Sequence, residues 1–148
     1  MKVSILRPLG NGLIGACILT LAHLLLKRIA PDPPEMDVLG KQGMEKVLGA
    51  AGISITQNQL FNVALIFDFL TNIIYFSQVR DKTGLLALAR GFTCGCIAGA
   101  GNVALPAKSG LDADVSHKRM RTTVVTISLY GLAGLASALA AQFYGKSK

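Results

Sequence analysis

The feature that most constrains this fold is a run of apolar residues long enough to cross a lipid bilayer. Residues 60–79 contain a single charged side chain, Asp68, which lies near the middle of the run. A helix of about 20 apolar residues spans the hydrocarbon core of a membrane. A charged side chain at that depth costs about 2.5–3.5 kcal/mol on insertion scales, and such residues usually have a partner or a function. The run therefore predicts a spanning helix that carries a polar site.

Three further apolar runs have a similar length. The four predicted spans cover residues 9–26, 60–79, 84–105 and 122–143. The composition agrees with a membrane location, since 51% of the 148 residues are hydrophobic, 16% are charged and 16 are glycine. We expect one all-α domain over residues 1–148, built as a four-helix transmembrane bundle.

The segment between the first and second spans has a different pattern. In residues 35–53 the larger apolar side chains recur at helical intervals, and the charged side chains fall on the opposite face. This pattern predicts a short amphipathic helix. The helix could lie in the membrane interface or pack as a loop helix on the spanning bundle, and the sequence leaves both arrangements open.

Two charged residues of opposite sign lie inside neighbouring predicted spans. The connection between the second and third spans is short, which makes these helices antiparallel neighbours. Counted from that connection, Asp68 and Arg90 differ in depth by roughly 6 Å at 1.5 Å per residue. We expect them to form an intramembrane polar pair. The alternative is that Arg90 extends to the nearer interface and Asp68 is neutral. Asn72, Asn102 and His23 are further candidates for a polar lining around Asp68.

Small residues recur at four-residue spacing in the third span. Gly91, Gly95 and Gly99 follow this pattern, and Gly134 and Ala138 repeat it in the fourth span. The small-xxx-small pattern lets two helix backbones approach closely in lipid. We expect these five residues to form a helix-packing face.

Motifs for catalysis and cofactor binding are absent from the sequence. There is no phosphate-binding loop, dinucleotide fingerprint, nucleophile elbow or zinc-protease motif, which predicts that the protein is not an enzyme. The three cysteines and two histidines lack the spacing of a metal site, so we expect no metal and no other cofactor. The net charge of +7 comes largely from basic residues that flank apolar runs, which indicates lipid headgroups rather than nucleic acid as the neighbours.

Three segments connect the chain with a known group of proteins. They are residues 34–40 (PEMDVLG), residues 68–75 (DFLTNIIY) and residues 102–106 (NVALP) with Leu111. In these segments and in its layout, the chain resembles small bacterial four-helix integral membrane proteins that have no assigned activity. The resemblance implies a multi-pass protein of the bacterial cytoplasmic membrane and implies no mechanism.

Three hypotheses of function follow from these features. The first is a structural or accessory subunit that associates with itself or with a larger membrane complex through its small-residue faces. The second is a small transporter or channel with an intramembrane polar site around Asp68. The third is a lipid-interface binding protein that uses residues 31–59. Under all three hypotheses the lipid bilayer is a partner, and nucleic acid is not.

Overall fold

All regular secondary structure in the described part of the chain is helical. The computed structural model describes residues 6–31, 33–79, 84–112 and 120–145. These residues form five helices, α1 (Leu6–Ile29), α2 (Met36–Ala50), α3 (Gln57–Phe76), α4 (Leu85–Lys108) and α5 (Met120–Gly145), and they contain no strand. The predicted all-α class is confirmed.

Three of the helices are long and apolar enough to cross a membrane. They are α1, α3 and α5. Helix α4 has the same length as α1, but Arg90, Asn102, Lys108 and several glycines lower its hydropathy. The structure is therefore that of a helical protein with three candidate spans. The fourth span stays a prediction.

The exterior of the bundle is more apolar than that of a water-soluble bundle. Large apolar side chains such as Leu6, Leu85 and Phe143 are more than 70% exposed, with values of 81%, 82% and 74%. By contrast, Thr126 and Ser137 are fully buried between helices. The core combines apolar side chains such as Phe76 and Leu19 with these hydroxyl groups, and an apolar exterior is favourable when the surroundings are lipid chains.

Helix α5 is the central element. It packs on α4 on one side and on α1 on the other, α1 also packs on α3, and α2 lies on α3. Helix α3 barely touches α4, although the two are consecutive spans in the prediction. The predicted antiparallel packing of these two helices is therefore not formed, and a gap separates them.

The small residues of α4 and α5 lie at the contact between these helices. A Cβ atom added at Gly95 would overlap the carbonyl oxygen of Tyr130, and one added at Gly91 would lie 2.5 Å from the carbonyl oxygen of Gly134. At Gly99 it would lie 2.8 Å from the backbone of α5. The whole predicted packing face, Gly91, Gly95, Gly99, Gly134 and Ala138, belongs to this internal contact. This close approach ties α4 to α5 rather than to α3.

The helix ends differ from the predicted bounds for identifiable reasons. Helix α3 begins three residues early because Thr56 and Gln59 form a capping box, in which each side chain accepts the other residue's backbone N–H. Helix α4 passes through Pro106 and ends at Lys108, whereas the sequence predicted an end at residue 105. Since proline lacks an N–H, the helix loses only the hydrogen bond to the Asn102 carbonyl oxygen, near its end.

Candidate functional site

Asp68 lies on α3, near the middle of the helix, with one close polar partner. The side-chain amide of Asn72, one turn later, donates to the backbone carbonyl oxygen of Asp68 at 2.9 Å and to Asp68 Oδ2 at 3.1 Å. Asn72 itself is buried. Asp68 also borders two cavities. Asn72 therefore holds the carboxyl group at the boundary between them.

The larger cavity has a volume of about 550 Å³ and lies in the gap between α3 and α4. Its apolar lining includes Met36, Leu39, Ile97, Leu105 and Leu111. Its polar lining consists of Asp68, Tyr75, Asn102, Ser109 and Tyr130. A volume of about 300–1,000 Å³ with a mostly apolar wall and a few polar groups is typical of ligand sites.

Two tyrosines, Tyr75 and Tyr130, line the larger cavity. The Tyr75 hydroxyl crosses the gap and donates to the Cys94 carbonyl oxygen at 2.7 Å. Tyr130 on α5 is only 3% exposed, and its ring meets the His23 ring edge to face, with the centroids 6.1 Å apart. Tyr130 therefore lines the larger cavity while it contacts a residue of the smaller one.

The smaller cavity has a volume of about 180 Å³ and lies between α1, α2 and α3. Its polar lining consists of Thr20, His23, Lys27, Asp37 and Asp68. His23 Nδ1 donates to the Leu19 carbonyl oxygen at 3.1 Å, while His23 Nε2 is buried and has no partner. Asp37 Oδ2 pairs with Lys27 Nζ at 2.6 Å, while Asp37 Oδ1 is buried and has no partner. Two buried polar atoms on one cavity wall thus lack hydrogen bonds.

Helix α2 covers both cavities, because Met36 and Gly40 border each of them. The ion pair of Lys27 with Asp37 ties the start of α2 to α1. Further along, Lys46 Nζ donates to the Ser109 carbonyl oxygen beyond α4, and the Gln42 side chain accepts the backbone N–H of Asp112. The predicted amphipathic helix is therefore attached to the bundle at both ends and forms a roof over Asp68.

The predicted pair of Asp68 with Arg90 is not formed. Arg90 is exposed and has no ion pair among the described residues, and the nearest polar partner of Asp68 is Asn72. The reason is the axial position of α4. The residues of α4 that share a cavity with Asp68 include Gly101 and Asn102, which lie about three helical turns beyond Arg90, roughly 17 Å along the axis.

The other predicted polar residues are distributed over the two cavities. Asn102 borders the larger cavity, His23 borders the smaller one, and Asn72 lies beneath Asp68. Tyr130 and the Lys27–Asp37 pair were not predicted from the sequence. A phenol inside an apolar run, and opposite charges on either side of the proline-rich turn, were the available signals.

Side chains that ligate metals are dispersed in the described ranges. No group of three His, Cys, Asp or Glu residues in those ranges is arranged to hold a metal ion. Cys17, Cys94 and Cys96 are free thiols. His117, the second histidine considered in the sequence, lies outside the described residues.

Comparison with known proteins returned no match to a family model, to a curated protein or to a solved structure. The geometry of the two cavities therefore carries the argument about function.

Proposed function

We propose that the protein binds an amphipathic molecule within the membrane, with its hydrocarbon part in the larger cavity. The observation that carries this proposal is the cavity of about 550 Å³ between α3 and α4, with apolar walls and Asp68 among its lining residues. Because α3 and α4 barely touch, an apolar chain can enter sideways from the bilayer. The ligand's polar end would then reach the groups beneath α2.

This proposal corresponds to the lipid-binding hypothesis, moved from the surface of residues 31–59 to the cavity that α2 covers. The accessory-subunit hypothesis rested on small-residue faces available to a partner. Those of α4 and α5 contact each other, and Gly12 and Gly15 of α1 contact α3 and α5. These faces therefore give no support for self-association or for a larger complex.

A second candidate function is translocation of the same molecule. It is favoured by the position of Asp68, which borders both cavities and so offers a polar contact on either side of α3. If translocation occurs, D68N should abolish movement of an amphiphile across vesicles that contain the protein, while its binding in the larger cavity is retained in part.

We also infer that α4 crosses the membrane as a fourth span and that the membrane is the bacterial cytoplasmic membrane. Close packing of α4 along the candidate span α5 supports the first inference. The resemblance of the sequence to small bacterial membrane proteins supports the second.

The binding proposal is tested by filling the larger cavity. Gly101 borders this cavity, and a Cβ atom added there would meet only the Leu105 side chain, at 3.7 Å. G101L should therefore reduce the lipid that the purified protein retains, measured by mass spectrometry of the extracted lipids. The control is A104L, because Ala104 is exposed on the same helix and does not line the cavity. Equal retention by both variants and the unmodified protein would contradict the proposal.

A further inference from the structure

The two phenols that line the larger cavity differ in their hydrogen bonding. The Tyr75 hydroxyl donates to the Cys94 carbonyl oxygen at 2.7 Å, whereas the Tyr130 hydroxyl has no hydrogen bond to any described residue. Only 3% of Tyr130 is exposed, and its hydroxyl oxygen belongs to that exposed part rather than to the closed polar atoms of the bundle. Because Tyr130 lines the larger cavity, a ligand in the cavity can reach this hydroxyl.

Asp68 offers a second polar contact in the same cavity. Its side chain is exposed, and the Asn72 amide donates to only one of its two oxygens. A carboxyl group keeps an acceptor oxygen whether it is ionised or protonated. The cavity therefore presents a free donor on Tyr130 and a free acceptor on Asp68.

These two groups lie at similar depths in the bundle. Asp68 is seven residues before Tyr75, whose hydroxyl meets Cys94 of the antiparallel helix α4. This separation places Asp68 about 10 Å beyond Cys94 along the cavity. Tyr130 Cβ lies 3.1 Å from a Cβ atom added at Gly99, which is about 8 Å beyond Cys94 on the same axis. One small headgroup can therefore contact both.

The lining of the cavity indicates an uncharged headgroup. No Lys, Arg or His side chain in the described ranges lines the larger cavity, so an anionic headgroup would lack a counter-charge there. A cationic headgroup would need Asp68 to be ionised among apolar walls, which is costly. A hydroxyl group has one donor and two acceptor lone pairs. It can accept from Tyr130 and donate to Asp68 in either protonation state of the carboxyl group.

We propose that Tyr130 and Asp68 bind the hydroxyl group of an uncharged amphiphile. This inference rests on the proposed function, because the hydrocarbon part of the same molecule occupies the apolar walls of the larger cavity. A membrane glyceride and a free long-chain alcohol present the same hydroxyl group to the site.

The first test compares two neutral probes that differ in the hydroxyl group. The full chain in phosphatidylcholine nanodiscs is crosslinked to a dodecanol analogue with a diazirine next to its hydroxyl end. Crosslinks are mapped and counted by mass spectrometry while unlabelled dodecanol or 1-chlorododecane competes. Dodecanol should compete at a concentration at least about fivefold lower, the value of one net hydrogen bond. Equal competition by the two compounds overturns the proposal.

The Tyr130 hydroxyl is tested by removing it alone. Y130F keeps the ring that contacts His23 and breaks no hydrogen bond among the described residues, so it should unfold like the unmodified protein. It should nevertheless lose the preference for dodecanol over 1-chlorododecane. The matched control is Y75F, which removes the other phenol of the cavity, already bonded to Cys94, and should keep the preference. An unchanged preference in Y130F overturns the proposal.

The two substitutions of Asp68 separate a hydroxyl site from a charged one. D68N keeps an acceptor oxygen without the charge, so dodecanol should compete as in the unmodified protein. D68L removes the acceptor and should weaken competition by dodecanol about fivefold. Equal loss in D68N and D68L would show that the carboxylate charge is required, and would overturn the assignment to an uncharged headgroup.

Two further measurements separate the ligand's source and the two proposals. If dioctanoylglycerol competes as well as dodecanol, the result supports a glyceride as the source, and failure to compete supports a single-chain alcohol. If G101L weakens competition by both compounds and neither is preferred, the larger cavity binds amphiphiles and the hydroxyl site is overturned. Crosslinks that lie outside the larger cavity and do not respond to G101L overturn both the proposed function and this inference.

Discussion

Single residues determine how closely the helices of this protein approach each other. At Gly95 the space that a side chain would need is taken by the backbone of Tyr130 on α5. At Gly101, two turns further along the same helix, the nearest atom to an added Cβ is a flexible leucine side chain at 3.7 Å. The two glycines therefore differ in function although both lie within one apolar run. Only the first is required for helix packing.

Substitution of these two glycines by alanine should separate the roles. G95A forces α4 away from α5, and we expect a loss of about 1–3 kcal/mol in the free energy of unfolding, as for overpacked cores. G101A should leave stability unchanged or raise it by up to about 1 kcal/mol, because alanine favours the helix. Unfolding by sodium dodecyl sulfate in mixed micelles, followed by circular dichroism, measures both values. Equal effects of the two substitutions would contradict this assignment.

At the scale of elements, α2 is held over the cavities by contacts that differ from those between the long helices. The long helices meet through small residues and apolar contacts. Helix α2 is also tied by the Lys27–Asp37 ion pair and by the hydrogen bonds of the Lys46 and Gln42 side chains. Partly exposed ion pairs contribute about 0.2–1 kcal/mol each. These ties add to the packing of α2 on α3, and Leu39 of α2 is buried.

Removal of the ion pair should loosen α2 selectively. In K27M we expect faster amide hydrogen exchange over residues 36–50, by up to about fivefold for a loss of 1 kcal/mol, with little change in α5. The control is K41M, which removes a charge from α2 itself at a residue that has no ion pair or hydrogen bond among the described residues. Equal exchange rates in the two variants would show that the ion pair does not hold the roof.

The elements themselves were accessible from the sequence, and their pairing was only partly so. Apolar runs predicted the long helices to within a few residues, and the pattern of residues 35–53 predicted α2. Asp68 was identified as the polar centre because a carboxyl group inside an apolar run is costly. Its pairing with Arg90 could not be judged, because a short connection gives the direction of the next helix but not its axial position or its closest neighbour. The packing of the α4 glycines on α5 determines the axial position of α4 and its closest neighbour. The role of Tyr130 depends on that packing and was equally inaccessible.

At the scale of the whole molecule, the expectation of four spans rests on the same packing. Contacts between α4 and α5 extend from Gly91, which meets Gly134, to Gly99, which meets Ile127. Over this length the two backbones run antiparallel and nearly touch, so they must share the same depth. If α5 crosses the membrane, we expect α4 to cross it beside α5. Arg90 lies in the second turn of α4, where its long side chain can reach the headgroups.

Four spans make a prediction about which loops share a side of the membrane. With α3 and α4 both spanning, Ser54 and Ser109 lie on one side and Gln78 on the other, and all three residues are exposed. The native residues Cys17, Cys94 and Cys96 are first replaced by alanine, and one cysteine is then introduced at each position in turn. In sealed vesicles of one orientation, a membrane-impermeant maleimide should label S54C and S109C together, and Q78C only in vesicles of the opposite orientation. The S54C–Q78C pair is the internal control, because it reports on α3 alone.

Labelling of S109C together with Q78C would mean that α4 does not cross. In that case the larger cavity could not lie between two spans, and the lateral entry of an amphiphile proposed for it would fail as well.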